Sequence, residues 1–144
     1  MDNQFNSLLL YPLFIQVLLT FSVGLLAFKA RISAVKSGQV PPSYFKHNQG
    51  KAPEVMLRWG DHYQNQFELP VLFYALIGLL LATEINHWSY LAGAWLFVIS
   101  RIVHSFIHIK TNHVLHRMRA FSVGFYTLFG LWIGFIIHTF SLDF

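Results

Sequence analysis

Leu8–Phe28 reads LLLYPLFIQVLLTFSVGLLAF, twenty-one residues without a charged side chain. A helix rising about 1.5 Å per residue makes this stretch as long as the roughly 30 Å hydrocarbon core of a bilayer is thick. No Lys or Arg precedes it and no small-residue cleavage site follows it. It is therefore expected to stay in the chain as a first span rather than be removed as a signal peptide.

Three further stretches have the same character. Gln64–Thr83 is apolar except for Asn65 and Glu68 near its start, and Trp88–Ile109 carries Arg101, His104 and His108 in its second half. Ala120–Leu142 is again uncharged. Together they predict spans at about 8–28, 62–83, 88–109 and 119–141 of a single domain of 144 residues. The expected fold is all-α and integral to the membrane, a bundle of four transmembrane helices with little outside the bilayer.

Composition agrees. Apolar residues make up 55% of the chain and charged residues 11%, under half the roughly 25% of a soluble domain. The absence of cysteine excludes disulfides, thiolate metal sites and a cysteine nucleophile. A net charge of +4, scattered over loops, gives no footprint for nucleic acid.

The first connection is long, contains Pro41-Pro42 and several Lys, and reads as polar and irregular. A tight turn around Glu84–His87 joins the second and third spans, and Lys110–Arg119 joins the third and fourth. Lys29, Arg31, Lys36, Lys46, Lys51 and Arg58 flank or occupy the first connection, and Lys110, Arg117 and Arg119 the third. The amino terminus, the second connection and the carboxyl terminus hold none. The excess of Lys and Arg on cytoplasmic loops then places 29–61 and 110–119 in the cytoplasm and both termini on the opposite side. Tyr11, Trp59, Tyr63, Trp88 and Tyr90 fall near span ends, where aromatic belts form. The last residues, Ser141–Phe144, match no retention motif, so a bacterial cytoplasmic membrane is expected.

Charges inside hydrocarbon are costly, about 2.5–3.5 kcal/mol each on insertion scales, and usually face the bundle interior. Arg58, Asp61, Asn65 and Glu68 recur at spacings of three and four, which puts them on one helix face. Arg101, His104 and His108 form a second stripe at the same end of the bundle, where Arg117 and Arg119 also lie. A polar, net-basic pocket lined by three helices is expected there.

Arg58-Trp-Gly-Asp-His-Tyr-Gln-Asn65-Gln-Phe-Glu68-Leu-Pro70 and Arg101-Ile-Val-His104-Ser-Phe-Ile-His108 resemble two signatures of the MAPEG family, the membrane-associated proteins of eicosanoid and glutathione metabolism. Length, four spans, loop lengths and motif order share in the resemblance. It implies a homotrimer with glutathione held between subunits near the cytoplasmic face, and lipophilic electrophiles as second substrates entering from the membrane lipid. It assigns Asn65 and Glu68 to glutathione contact, with Arg58, Arg101, His104 and His108 as further candidates for that contact. Either Arg117 or Arg119 would be the catalytic cation that stabilises the thiolate, since a thiol becomes nucleophilic on deprotonation and a nearby cation favours that. The pattern departs from the family at Asp61 and Gln64, where Arg is expected, and at His108, where the family has Tyr.

Each feature has a structural reading too. Glu68 and Arg101 suit a buried interhelical ion pair, and Asn65 an interhelical hydrogen bond. The His104/His108 pair with Glu68 invites a metal, but the adjacent Arg101 disfavours a dication, so no metal is expected. Lys29, Arg31, Lys36, Lys46 and Lys51 read as solvated or headgroup-facing, and Pro12 and Pro70 as kinks near span ends. Gly130-x-x-x-Gly134, with Gly24 and Gly78, reads as close helix packing. Three functions follow: a glutathione-dependent transferase or peroxidase, a relative that has exchanged glutathione for a lipid or other anionic small molecule, and a non-catalytic membrane scaffold.

Overall fold

The computed structural model describes residues 2–111 and 113–141. Leu142–Phe144, the end of the stretch that matches no retention motif, lie outside the described residues. Every regular element among those described is helical: α1 (Asp2–Lys36), α2 (Glu54–Gln64), α3 (Leu69–Ala82), α4 (Trp88–Lys110) and α5 (Val114–Ser141), with short 3-10 turns at Pro42–Lys46 and Asn65–Phe67. Four helical stretches are long and apolar enough to cross a membrane: Gln4–Lys36, Glu54–Ala82, Trp88–Lys110 and Val114–Ser141. The second comprises α2, the 3-10 turn and α3.

α4 is the inner helix. Its buried positions include Tyr90, Leu91, Ala94, Phe97, Val98, Arg101, His104, Ser105 and His108, the three-and-four spacing of one helix face. Phe97 stacks on Phe73 of α3, ring centroids 4.6 Å apart, within a core that includes Leu9, Leu76, Ile77, Leu80 and Leu128. Large apolar side chains cover the outside instead. Tyr11, Phe14, Leu18, Phe21, Leu25 and Phe28 all project outward from α1. Such a patch would drive aggregation in water, and lipid tails solvate it without penalty. The protein is an integral membrane protein.

The first connection is more ordered than its composition suggests. Gly38, at φ +71°, ends α1: its amide donates to Val35 and the Gln39 amide to Ala34, both at 3.0 Å. This closes the helix end with the left-handed residue that glycine adopts without strain. The chain then folds back so that Ala34, Val40, Tyr44 and Met56 bury one another in a small separate core. Pro53 precedes α2, and Glu54 pairs with Arg58 across its first turn at 2.6 Å. Helix therefore begins well before the purely apolar stretch.

The second span is interrupted. Helical hydrogen bonding tightens to a 3-10 turn at Asn65–Phe67, and Glu68 leaves helical geometry at φ −94°, ψ −101°. Pro70, in the first turn of α3, explains the break. It supplies no amide to the Gln66 carbonyl, and its ring crowds that carbonyl. The proline acts inside the span rather than near its end.

α5 begins five residues before the predicted span, which puts Arg117 and Arg119 inside its first turns. Its seam with α4 is close at glycines other than those the sequence suggested. A methyl group at Gly124 would lie 2.6 Å from Ser100 Oγ, and one at Gly93 the same distance from a Leu131 methyl. Of the glycines the sequence suggested, Gly24 of α1 does pack closely, a methyl there lying 2.9 Å from the Tyr63 ring. Gly130 and Gly78 have nothing within 4 Å, and Gly134 approaches Tyr90 only at 3.5 Å. Gly124→Val is expected to destabilise the bundle by about 1–3 kcal/mol through overpacking. Gly130→Ala is expected to change stability by less than about 0.5 kcal/mol or to raise it slightly. Reversible unfolding in mixed micelles measures both.

Candidate functional site

The interruption of the second span sets up the polar end of the bundle. In an uninterrupted helix the Asn65 carbonyl would serve the amide four residues on. Here it accepts a hydrogen bond from Arg101 Nη2 at 3.1 Å. Arg101 is fully buried, and its guanidinium also lies 5.6 Å above the ring of Phe121 on α5. One side chain thus ties together the broken span, α4 and α5.

The expected ion pair between Arg101 and Glu68 does not form. Glu68 is exposed, and no ion pair joins it to Arg101. Non-helical geometry at Glu68 turns its carboxylate outward, while Arg101 takes the neighbouring carbonyl. Arg58 pairs with Glu54 one turn earlier on α2 and does not line the cavity described below.

One and two turns along α4, His104 and His108 both engage Arg117. His104 Nδ1–H donates to the Arg117 carbonyl at 3.1 Å, and Arg117 Nη1 donates to His108 Nε2, also at 3.1 Å. A guanidinium has no acceptor, so the His108 nitrogen facing it accepts. Behind them His62 of α2 is fully buried and stacked on His108, ring centroids 4.9 Å apart. Sequence reading passed over His62. It stands four residues after Arg58 and three before Asn65, so the spacing that singled out those two also reaches it. Gln16 and Gln66 were passed over as well. Both are fully buried and joined by a 3.2 Å hydrogen bond between α1 and the 3-10 turn.

Asn65, Glu68, His104 and Arg117 converge on one cavity of about 380 Å³, completed by Val114, Met118 and Phe121. Glu68, Val114 and Met118 remain exposed, so the cavity opens on the outer surface of the chain. Arg101 and His108 stand behind its wall. Arg119 is exposed and does not line it, nor do Asp61 and Gln64, both exposed. Next to it an apolar groove of similar size runs between α3 and α5, lined by Leu69, Leu72, Phe125, Leu128, Phe129, Trp132 and Ile136. Leu69 adjoins Glu68 in sequence, and Phe125 follows Phe121 by one turn, so polar cavity and apolar groove are neighbours. Among the described residues no three His, Asp or Glu side chains are grouped as a metal site.

Compared with known families, the chain matches the profile of the MAPEG family over residues 9–137, nearly its whole length. The chain belongs to the MAPEG family. No curated protein and no solved structure matched it. MAPEG proteins include glutathione-dependent transferases and peroxidases, and the two signature stretches of this member flank its polar cavity.

Because Glu68 of this MAPEG protein faces outward and forms no ion pair with Arg101, Glu68→Gln is expected to change unfolding stability by less than about 0.5 kcal/mol. Breaking a buried ion pair with Arg101 would instead cost about 3–5 kcal/mol. Unfolding in mixed micelles distinguishes the two.

Proposed function

We propose that this protein is a glutathione-dependent transferase or peroxidase acting on lipophilic electrophiles. The observation that carries the reading is the convergence of Asn65, Glu68, His104 and Arg117 on one cavity adjoining an apolar groove. Glutathione is anionic overall and carries an amine, two amides and a thiol. Asn65 offers both a donor and an acceptor to an amide, and Glu68 offers a carboxylate to the ammonium. Arg117 is the cation beside which the sulfur would rest. Its guanidinium is oriented through His108 and its backbone through His104, so it is held in advance of binding. Arg119, exposed and absent from the cavity lining, has no part in this assignment.

The reaction follows from those placements. Arg117 favours loss of the thiol proton to solvent at the cavity mouth, and the thiolate remains as nucleophile. Its sulfur attacks an electrophilic carbon of a substrate lying in the Leu69/Phe125/Trp132 groove. A sulfur–carbon bond forms, and the electron pair leaves with the departing group or moves onto the adjoining activating group. An apolar substrate reaches such a groove from the hydrocarbon without crossing water.

The homotrimer belongs to the same proposal, with family membership and the outward opening of the cavity as its support. A neighbouring copy would close the open side. Orientation rests on charge: nine of the ten Lys and Arg residues flank or occupy the two connections at one end of the bundle. By the positive-inside rule that end is cytoplasmic, and a bacterial cytoplasmic membrane is the proposed location.

Calorimetric titration of glutathione into the purified protein in detergent tests the reading. Saturable binding is expected, weakened about ten- to a hundredfold by Glu68→Gln and by Arg117→Ala, the range for loss of a charge-assisted hydrogen bond. Absence of binding to the folded protein, or binding indifferent to both substitutions, would overturn it.

A further inference from the structure

The folded first connection builds a second site, away from the thiol cavity. Phe28, Arg31, Ile32, Val35 and Lys36 share one face of the end of α1, and Phe45 from the 3-10 turn stands opposite them. The groove between holds about 440 Å³. Phe45 is fixed in place: its ring meets the buried Tyr44 edge-on at 5.4 Å, and the Arg31 guanidinium lies 5.9 Å over it. The small core of Ala34, Val40, Tyr44 and Met56 therefore serves to set this wall.

Depth and charge indicate what fits. Phe28 is the last residue of the uncharged apolar run that begins at Leu8, so the groove starts at the hydrocarbon boundary. Arg31 and Lys36 follow about 5 and 12 Å further along the axis, at headgroup depth. No Asp or Glu occurs between Asp2 and Glu54, while that segment holds five Lys and Arg. Among the described residues neither Arg31 nor Lys36 has a carboxylate within ion-pair distance. The groove thus pairs an apolar floor in the hydrocarbon with two cations that no carboxylate among the described residues pairs with.

We propose that this groove binds a phospholipid with a net anionic headgroup. The phosphate sits between Arg31 and Lys36, where a guanidinium makes paired hydrogen bonds to its oxygens, and an acyl chain lies along Phe28 and Ile32. Two cations on one headgroup select phosphatidylglycerol over zwitterionic phosphatidylcholine. The bound lipid bridges α1 and the connection, holding the loop against the membrane surface.

Native mass spectrometry of the detergent-purified protein, exposed to equal amounts of phosphatidylglycerol and phosphatidylcholine, tests this. Phosphatidylglycerol adducts are expected to predominate. Arg31→Ser and Lys36→Ser should each lower their retention about five-fold, the scale of one cation near an anionic surface. Lys51→Ser, which removes the same charge from the same connection outside the groove, should leave it unchanged. Phe45→Ala keeps every charge and removes the wall, and should lower retention as well. Equal losses for Lys51→Ser and Arg31→Ser would mean a diffuse surface charge and would overturn the site, as would full retention by Phe45→Ala or no preference between the lipids. If Phe45→Ala loses its helical circular dichroism, the comparison of Arg31→Ser with Lys51→Ser decides alone.

Discussion

The polar end of this bundle depends on a guanidinium in a place where few partners exist. Arg101 lies on the buried face of the inner helix, and lipid supplies no water to serve its donors. A regular second span would offer it nothing, since every carbonyl along the helix is already engaged. The break at Asn65–Phe67, caused by Pro70, releases a carbonyl at the right level, and Arg101 takes it. The same break turns Glu68 out of the core and towards the cavity. Proline and arginine are therefore complementary: one opens the helix and the other satisfies what the opening exposes.

Register follows from that contact. With Arg101 fixed against the broken span, His104 and His108 meet the first turns of α5 and orient Arg117 through both its carbonyl and its guanidinium. Packing at Gly124 brings α5 close enough for this, with the Ser100 hydroxyl against the glycine face. Hydrogen bonds to a charged group are stronger than neutral ones, by about a factor of two. In a dry setting they outweigh the scattered surface charges that set only orientation. The apolar groove begins where this polar layer ends, because Leu69 and Phe125 are the next residues along α3 and α5. Solubility in lipid and access for a lipophilic compound thus share one surface.

Much of this was legible in the sequence. Span lengths and charge-free runs specify four membrane helices, and the three-and-four spacing of Arg101, His104 and His108 marks the buried face of α4. What escaped depended on local breaks and on distance in sequence. Reading Arg58, Asp61, Asn65 and Glu68 as one continuous stripe assumed an unbroken helix, and Pro70 invalidates that assumption. The ion pair expected of Glu68 failed for the same reason. Arg117 and Arg119 are alike in sequence and separate only when α5 begins at Val114, which points one inward and leaves the other exposed. Gln16 was hidden in an apolar run, since its partner Gln66 is fifty residues away. The small core around Tyr44 rests on a few apolar residues in a polar loop, too sparse a pattern to read without the fold.

Arg117, held by the α4 histidines, is proposed as the cation that turns a bound thiol into a thiolate. Ultraviolet difference spectroscopy of glutathione added to the purified protein reads thiolate directly, without a second substrate. A thiolate band at neutral pH is predicted for the native protein and for Arg119→Ala, and its loss is predicted for Arg117→Ala. A band that survives Arg117→Ala, or one that disappears with Arg119→Ala in a folded protein, would contradict the account.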